Sequence, residues 1–477
     1  MRKTLLGMPV EKIDSSKYIM QCRGVISWKR KGGKGTMECA TGFGKSIIAC
    51  LAIAKMYKKK PHLTCMIIVP TISLKEQWEE ILIAFGLSEC TTVYVVNTIA
   101  LKDIKYEVDF LVVDEIHLMA ADQFSRIFSL VKYSFIMGLT ATIDRLDGRE
   151  RYLKKYAPVV MRITQTQAIK HGWINDFIEC NVPIPISRKE RDELTNMNRE
   201  IAKNMGKFDD PEAMRRCMKI EEAELYARMN FPHANYKDMG AQLQVAALQG
   251  QQFTAMRTKF LYTLEQKIAA TVDLINEFGL KTITFSQSTL FADEVKKRIG
   301  AKAVTYHSNM ETLVRMVDKT KTYKKLASAN NFMFKTEGST LSTNGEQFIV
   351  TWQEPKKIGL TVQKRENKTN FKENLGGINT ICTAKALDQG FDVADVEMGI
   401  DASRTSNPTQ HTQRTGRCAR NFTYSDGTKK QGIFVNLYVP NSRDRDWLDR
   451  AQKNSTNVVE LGSMEECIAL IKKRLKV

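Results

Sequence analysis

The sequence predicts an α/β protein built from two doubly wound parallel-sheet domains. Short continuous apolar runs of strand length, such as residues 64–69 and 110–113, alternate with segments of helical periodicity. Runs of this kind are typical of strands that are buried on both faces of a parallel sheet. The alternation is interrupted at Ser187 and resumes at Leu264, and 477 residues are enough for two such domains.

The composition indicates a basic globular protein. Hydrophobic residues make up 43% of the chain, and no apolar run reaches the length of a membrane span. The formal net charge of +19 favours a polyanionic partner. The ten cysteines are scattered without a Cys-x-x-Cys pair, which argues against a zinc site or a disulfide framework. With no secretory signal at the N terminus, we expect a cytoplasmic location (host cytoplasm for a viral protein) and no membrane partner.

A glycine-rich segment in the first half has the composition of a phosphate-binding loop. Gly42 and Gly44 permit a tight turn whose N–H groups point inward, at the start of an Ala-rich helix. Lys45 would reach the terminal phosphates of a nucleotide, and the Ser46 hydroxyl would hold Mg²⁺. Cys39 stands where the general pattern has its first glycine. A Gly-Lys-Ser sequence alone also fits an ordinary turn before a helix.

Two acidic residues directly follow a strand-like run. The run at 110–113 leads into Asp114 and Glu115, and ligand sites in open parallel sheets lie at the carboxyl ends of strands. Asp114 is placed to hold Mg²⁺ through water, and Glu115 is placed to polarise an attacking water molecule. The alternative interpretation is a pair of solvated loop acids.

Two stretches depart from the alternating pattern. Residues 187–260 lack strand-like runs and predict a helical insertion, in which recurrent methionines fill gaps in a core. Residues 311–377 are polar, and part of them is interpreted as an insertion in the second domain. Either stretch can be an arm that grips duplex nucleic acid or an elaboration of the packing.

These observations divide the chain into four parts. The predicted parts are a first domain (1–170), a linker with the helical insertion (171–262), a second domain with the polar insertion at about 311–377 (263–440), and a helical C-terminal tail (441–477).

Taken together and in order, the motifs resemble those of superfamily 2 helicases of the DExH-box type, over residues 18–439. In this family two RecA-like domains face one ATP molecule. The matching segments are residues 40–46 for motif I, 69–71 for motif Ia, 114–117 for motif II, 138–142 for motif III, 285–286 for motif IV, 383–392 for motif V and 413–420 for motif VI.

The finer resemblance is to the XPB-like branch and to phage recombination helicases of the UvsW type. The segment at 142–148 is close to that branch's Thr-Pro-x-Arg-x-Asp-Gly sequence, with Ile143 in place of the usual proline. The segment at 387–392, Leu-Asp-Gln-Gly-Phe-Asp, also fits the branch.

The resemblance implies ATP and Mg²⁺ as cofactors and assigns roles to individual residues. Those expected to act in catalysis are Glu115, Gln413, Arg417 and Arg420. Those expected to bind ATP are Gln21, Thr41, Gly42, Gly44, Lys45, Ser46, Asp114, Gly390 and Asp392, with Ser46 and Asp114 at the metal. Coupling between ATP and nucleic acid is expected at His117, Thr140 and Thr142. Contacts to nucleic acid are expected at Pro70, Thr71, Ser286 and Thr383.

The function that the resemblance implies is that of an ATP-dependent DNA helicase or translocase. Such an enzyme would remodel branched or hybrid structures, by branch migration or by unwinding R-loops or forks, in recombination, replication or repair. The expected partner is single-stranded or branched DNA, bound without sequence specificity because backbone contacts do not read bases. Two alternatives stay open: an RNA helicase acting on RNA or an RNA–DNA hybrid, and a translocase motor subunit without strand separation.

Overall fold

The computed structural model shows two parallel β-sheets, each covered by helices. The structure describes residues 6–7, 14–102, 104–143, 148–310, 321–324, 339–343, 347–352, 356–384, 393–404, 406–453, 455 and 457–476. The strands are β1 (Lys34–Cys39), β2 (Cys65–Val69), β3 (Thr91–Val95), β4 (Tyr106–Asp114), β5 (Val131–Thr140), β6 (Val159–Ile163), β7 (Phe177–Pro183), β8 (Thr282–Ser286), β9 (Ala303–Tyr306), β10 (Lys321–Lys324), β11 (Ser339–Thr343), β12 (Gln347–Trp352), β13 (Thr380–Ala384), β14 (Met398–Asp401), β15 (Gly432–Tyr438) and β16 (Val458–Glu460).

The helices follow the strands in the alternating order that the sequence predicts. They are α1 (Ser15–Arg30), α2 (Lys45–Tyr57), α3 (Ile72–Ala84), α4 (Val96–Lys102), α5 (Asp122–Ser125), α6 (Ile127–Leu130), α7 (Glu150–Tyr156), α8 (Gln165–Lys170), α9 (Arg188–Met205), α10 (Pro211–Arg216), α11 (Ile220–Asn230), α12 (Tyr236–Tyr262), α13 (Glu265–Phe278), α14 (Thr289–Ile299), α15 (Lys356–Lys372), α16 (Pro408–Cys418), α17 (Arg443–Ala451) and α18 (Met464–Leu475). Within the described ranges, none of them combines the length and hydropathy that a membrane span needs.

The first sheet has the strand order β3-β2-β4-β5-β1-β6 over the described residues, and every pairing in it is parallel. Its central strands are apolar on both faces because helices cover both, and Ile67, Val112 and Met137 are fully buried. The phosphate-loop segment leaves the carboxyl end of β1, and the two acids leave the carboxyl end of β4. Because all these strands are parallel, both segments lie at the same edge of the sheet.

The second sheet has the order β16-β7-β15-β14-β8-β13-β9 among the described strands, and it too is parallel throughout. Two parallel-sheet domains are therefore confirmed. The sheet begins earlier and ends later than the sequence suggested, because β7 falls within the stretch assigned to the linker and β16 within the tail assigned as helical. The sequence gives no strand signal for β7 because Glu179 and Asn181 interrupt its apolar residues, although both side chains are buried.

Along the chain, the helices α9 to α12 come between β7 and the rest of the second domain. They have a small core of their own, in which Met214, Ala227 and Leu243 are buried. The gap-filling role predicted for the methionines does not extend to Met229, which is 75% exposed, or to Met256, which is 46% exposed. That these helices are an insertion stays a prediction.

The polar stretch contains two kinds of structure. Its described strands form a separate antiparallel sheet in the order β10-β12-β11. The helix α15 belongs to the body of the second domain instead, since Phe371 is fully buried and the Asn367 side chain donates to the Thr305 carbonyl at 2.8 Å. The helix α15 is therefore not part of an insertion, and the interpretation of part of residues 311–377 as one stays a prediction. A mostly polar helix with one narrow buried face gives little hydrophobic signal in the sequence.

The two domains are in direct contact near the phosphate-loop segment. Trp173, in the connection between the sheets, packs edge-on against Phe43 with ring centroids 5.3 Å apart. On the other side, the Lys368 ammonium of α15 donates to the Ser73 hydroxyl of α3 at 3.0 Å. These contacts fix a cleft between the carboxyl edges of the two sheets.

Candidate functional site

A cavity of about 420 Å³ lies in this cleft. Both domains line it, and ten of the residues singled out from the sequence meet there. They are Thr41, Gly42, Gly44, Lys45, Ser46, Asp114 and Glu115 from the first domain, and Gln413, Arg417 and Arg420 from the second.

The loop before α2 has the backbone of an anion cradle. Gly42 and Gly44 adopt φ angles of +84° and +89°, a region that favours glycine, and a Cβ at position 44 would lie 2.7 Å from the Gln21 amide nitrogen. The loop ends at the N terminus of α2, where the first N–H groups have no partner inside the helix. The Thr41 hydroxyl is buried there without a hydrogen-bond partner. A triphosphate fits these features, because it supplies acceptors for N–H and O–H donors.

Two side chains of α1 donate hydrogen bonds to backbone carbonyls of this loop. The Gln21 side-chain N–H donates to the Phe43 carbonyl at 2.9 Å, and the Lys17 ammonium donates to the Gly42 carbonyl at 2.9 Å. Gln21 is only 5% exposed and does not line the cavity. In this structure it supports the loop, and the ATP-binding role expected of it stays a prediction.

The two acids at the end of β4 lie beside each other, Asp114 buried and Glu115 partly buried. The Trp78 indole N–H donates to Asp114 Oδ2 at 2.8 Å. Burial and the neighbouring Glu115 charge raise the pKa of Asp114 to about 6, while Trp78 and Lys45 act in the opposite direction. Burial also raises the pKa of Glu115, against the lowering effects of Lys45, Arg417 and Gln413. Asp114 and Ser46, which both line the cavity, would suit Mg²⁺, because a divalent cation offsets the cost of a buried carboxylate and prefers oxygen ligands.

A chain of polar contacts leads from Glu115 into the first domain. His117 Nδ1 lies 3.4 Å from Glu115 Oε2 and 3.0 Å from the Thr140 hydroxyl. The Thr140 hydroxyl donates to the Thr142 carbonyl at 2.6 Å. The three residues expected to couple ATP to nucleic acid therefore form one buried network with the acid, and the coupling role itself stays a prediction.

The helix α16 brings the second domain against the loop. Gly416 leaves no room for a side chain, since a Cβ there would lie 2.5 Å from the Thr41 Cβ. One turn on, Arg420 faces Gly42 so closely that a Cβ at position 42 would lie 3.8 Å from the Arg420 Cα. The geometry therefore presents Arg417 and Arg420 to the same space as the phosphate loop.

Several residues that complete this interface were not singled out from the sequence as site residues. The Trp173 carbonyl accepts hydrogen bonds from Lys17 of the first domain and from Asn421 of the second, both at 2.8 Å. Trp78 of α3 donates its indole N–H to Asp114 and so holds that carboxylate. These contacts join segments far apart in the chain, so no local spacing indicates them.

Two of the residues expected to contact nucleic acid have buried side chains. Ser286 is fully buried, with its hydroxyl donating to the Ser288 carbonyl at 3.0 Å and lying 3.2 Å from the Ser403 hydroxyl. Thr383 is 1% exposed and donates to the Thr284 carbonyl at 3.0 Å. In this structure both side chains hold adjacent strands and loops of the second sheet together, and the nucleic-acid contacts expected of them stay predictions.

The other expected contacts have different outcomes. Pro70 and Thr71 are partly exposed at the start of α3, where the Thr71 hydroxyl accepts a hydrogen bond from the Leu74 N–H at 3.3 Å. Gly390 and Asp392 lie outside the described residues.

Comparison with known families agrees with this geometry. The profile described as "Type III restriction enzyme, res subunit" matches residues 13–97 and 87–145, and "Helicase conserved C-terminal domain" matches residues 359–422. The chain is 22% identical to the DNA 3'-5' translocase XPB2 of Sulfurisphaera tokodaii over 325 residues, which cover 65% of this chain and 68% of that protein.

Two further likenesses are more limited. A putative helicase, 161L of Invertebrate iridescent virus 6, is 30% identical over 149 residues, which cover 26% of this chain and 33% of that protein. Among solved structures, a variant of Saccharomyces cerevisiae Dbp5 bound to RNA and ADP–BeF3 superposes with a TM-score of 0.54 at 13% identity, covering 98% of each chain. The second likeness concerns the fold alone.

The family assignment draws on all of these observations. Two RecA-like sheets, one cleft lined from both domains, and family matches in each half agree with the order of motifs. Together these matches support the assignment of the chain to the superfamily 2 helicases and point to an ATP-hydrolysing enzyme.

Proposed function

We propose that this protein is a DNA-dependent ATPase that moves along DNA and separates or remodels its strands. The observation that carries the proposal is the single cavity shared by the phosphate loop, the two acids, Arg417 at the end of α16 and Arg420 just after it. Because the two domains contribute different parts of one site, the site is complete only in one relative position of the domains. Turnover at such a site drives domain motion.

The side chains divide the work as follows. Lys45 and the loop N–H groups bind the terminal phosphates, and Ser46 and Asp114 hold Mg²⁺, which supplies positive charge at the phosphates when bound. Glu115 orients the attacking water and accepts its proton, for which its partly buried position and raised pKa are suitable. Arg417 and Arg420 stabilise the negative charge that develops on the transferred phosphoryl group.

The Gln413 side chain takes part from the second domain, beside Glu115. It lines the same cavity and lowers the pKa of that carboxyl. His117 and Thr140 then connect Glu115 to the loop at Thr142, so a change at the acid reaches the segment that follows β5.

We propose that DNA is the nucleic acid along which the protein moves, for two reasons. A relative that covers 65% of this chain is named a DNA 3'-5' translocase. The net charge of +19 suits a phosphate backbone. The start of α3, with Pro70 and Thr71, lies beside the contact between Lys368 and Ser73, so a strand bound there would touch both domains.

Branch migration and the unwinding of R-loops or forks, in recombination, replication or repair, belong to the same proposal. So does a cytoplasmic location, which is supported by the ten cysteines, all of them free thiols.

The test is a strand-displacement assay on a forked DNA, an RNA duplex and an RNA–DNA hybrid, with ATPase rates measured on each. We expect ATPase stimulation by DNA and displacement on the fork, both abolished in Lys45→Ala. Stimulation by RNA alone would contradict the DNA assignment and favour the RNA helicase alternative. DNA-stimulated ATPase without displacement on any substrate would identify a translocase that does not separate strands.

A further inference from the structure

Another cavity, of about 300 Å³, lies at the opposite end of the first domain from the nucleotide site. The ends of α1 and α2 and the strand β5 enclose it. The helix α2 begins at Lys45 in the phosphate loop, and Lys55 and Lys59 at its far end line the cavity. At 1.5 Å per residue, the two sites are about 15–20 Å apart along the helix axis.

The interior of this cavity is apolar. Val25, Trp28, Ala52, Met56 and Phe135 line it. The one polar side-chain atom among them is the Trp28 indole N–H, which donates to the Ile136 carbonyl at 2.8 Å. A group that enters the cavity therefore meets no side-chain hydrogen-bond partner.

Glycine backbone completes the floor without adding donors. The Gly32 N–H donates to the Lys29 carbonyl at 3.0 Å, and the Gly33 N–H donates to the Trp28 carbonyl at 3.1 Å. Gly33 also lies against the Phe135 ring, where a Cβ would come within 2.3 Å. The shape of the floor therefore depends on glycine at position 33.

The rim is strongly basic. Lys29, Lys55 and Lys59 are exposed and line the cavity. Among the described residues, none of the three forms an ion pair or a side-chain hydrogen bond. Neither α1 nor α2 contains an aspartate or a glutamate, so nothing on these helices compensates the charge.

We propose that this cavity docks an acidic segment of a partner protein, which inserts one aromatic side chain between the three lysines. The volume is at the lower end for ligand pockets, so it suits one large side chain. Carboxylates flanking that side chain would face the lysines. A nucleobase fits less well, because its hydrogen-bonding edge would be buried without a partner.

The test uses fluorescein-labelled peptides with the full chain, followed by fluorescence polarisation. One peptide has a phenylalanine between two pairs of aspartates, and the other has alanine in its place. We expect the phenylalanine peptide to bind at least about tenfold more tightly. Equal binding of the two peptides would overturn the proposal.

Variants of the protein locate the binding. The triple variant Lys29→Glu/Lys55→Glu/Lys59→Glu should weaken binding of the phenylalanine peptide by at least about tenfold, because it reverses the rim charge. The matched control is Lys58→Glu, an exposed lysine of the same region that does not line the cavity. Ala52→Leu fills the cavity from below and should abolish the phenylalanine preference, with its melting temperature as a check on folding.

Basal ATPase should stay unchanged in the lysine variant because of its distance from the nucleotide site. Unchanged peptide binding in the lysine variant would overturn the proposal. Displacement of the peptide by a single-stranded oligonucleotide from the wild type, together with loss of oligonucleotide binding in the lysine variant, would show a nucleic-acid site instead. A dimer that the lysine variant dissociates would show that a second copy of this chain is the occupant.

Discussion

Gly416 allows the helix α16 to approach the phosphate loop closely, and Gly416→Ala should open the nucleotide cleft. The added Cβ would lie 2.5 Å from the Thr41 Cβ, about 0.9 Å closer than the 3.4 Å at which ordinary contact begins. The helix must therefore move back by about 1 Å, and Arg417 moves with it. A misplacement of about 1 Å at a catalytic group can lower the rate about 10²-fold, so we expect a loss of that order in kcat.

The same substitution should not harm folding. Gly416 lies within α16, and alanine is favoured over glycine in a helix by up to about 1 kcal/mol. We expect the melting temperature of Gly416→Ala to be unchanged or higher while steady-state ATPase falls. A melting temperature well below that of the wild type would mean that the lost activity reflects unfolding.

A second substitution tests whether the collision with Thr41 is the cause. Thr41→Gly removes the atoms that the new methyl group would meet, so Gly416→Ala/Thr41→Gly should recover most of the activity of Thr41→Gly alone. Thr41→Ser keeps the Cβ and should give no recovery. Wild-type turnover in Gly416→Ala, or no recovery in the double variant, would refute the close approach of the domains as described.

Three further predictions follow from the same structure. Lys45→Ala should lower ATPase by roughly 10²–10³-fold with the fold intact, since a single electrostatic stabiliser is commonly worth that much, and unchanged turnover in the folded variant would contradict the site. Glu115→Gln should bind nucleotide and Mg²⁺ but hydrolyse poorly, and loss of nucleotide binding in an equilibrium assay would argue against its role with water. Glu179→Gln should lower the free energy of unfolding by about 3–5 kcal/mol in a denaturant titration, because it breaks a buried pair with His411 at 2.7 Å. Burial alone would raise the pKa of Glu179, but His411 and the hydrogen bonds lower it to about 2. The stabilisation by Glu179 is therefore present above pH 4.5 and is lost as the pH falls toward 2. A Glu179→Gln variant with wild-type stability at pH 7 would contradict this role of the pair.

The convergence of the nucleotide motifs follows from local patterns in the sequence. The phosphate loop and the acids each follow a buried strand, and parallel strands bring their carboxyl ends to one edge. The two arginines at and just after the end of α16 were expected from the family resemblance instead, and Arg417 and Arg420 line the same cavity. Strong apolar runs and glycine spacing are local features, so they can be read without knowing the contacts.

The remaining features depend on contacts that the sequence does not contain. Ser286 ends the strand β8 just as Asp114 ends β4, and Thr383 lies one residue before the end of β13, yet both side chains are buried in the second domain. Strand β7 is hard to predict because its apolar pattern is interrupted by Glu179 and Asn181. These side chains can be buried only because partners distant in sequence form hydrogen bonds with them: the Asn436 amide N–H group donates to Glu179 Oε1 at 2.9 Å and to Asn181 Oδ1 at 3.0 Å. The interface at Trp173 likewise joins segments from three parts of the chain.

The central claim is that a site shared by two domains turns ATP hydrolysis into movement along DNA. Displacement of streptavidin from biotinylated single-stranded DNA, measured beside ATPase on the same substrate, tests this directly. We predict ATP-dependent displacement by the wild type and none by Glu115→Gln, which should remain bound to the DNA. DNA-stimulated hydrolysis without any displacement from either end of the strand would contradict the claim.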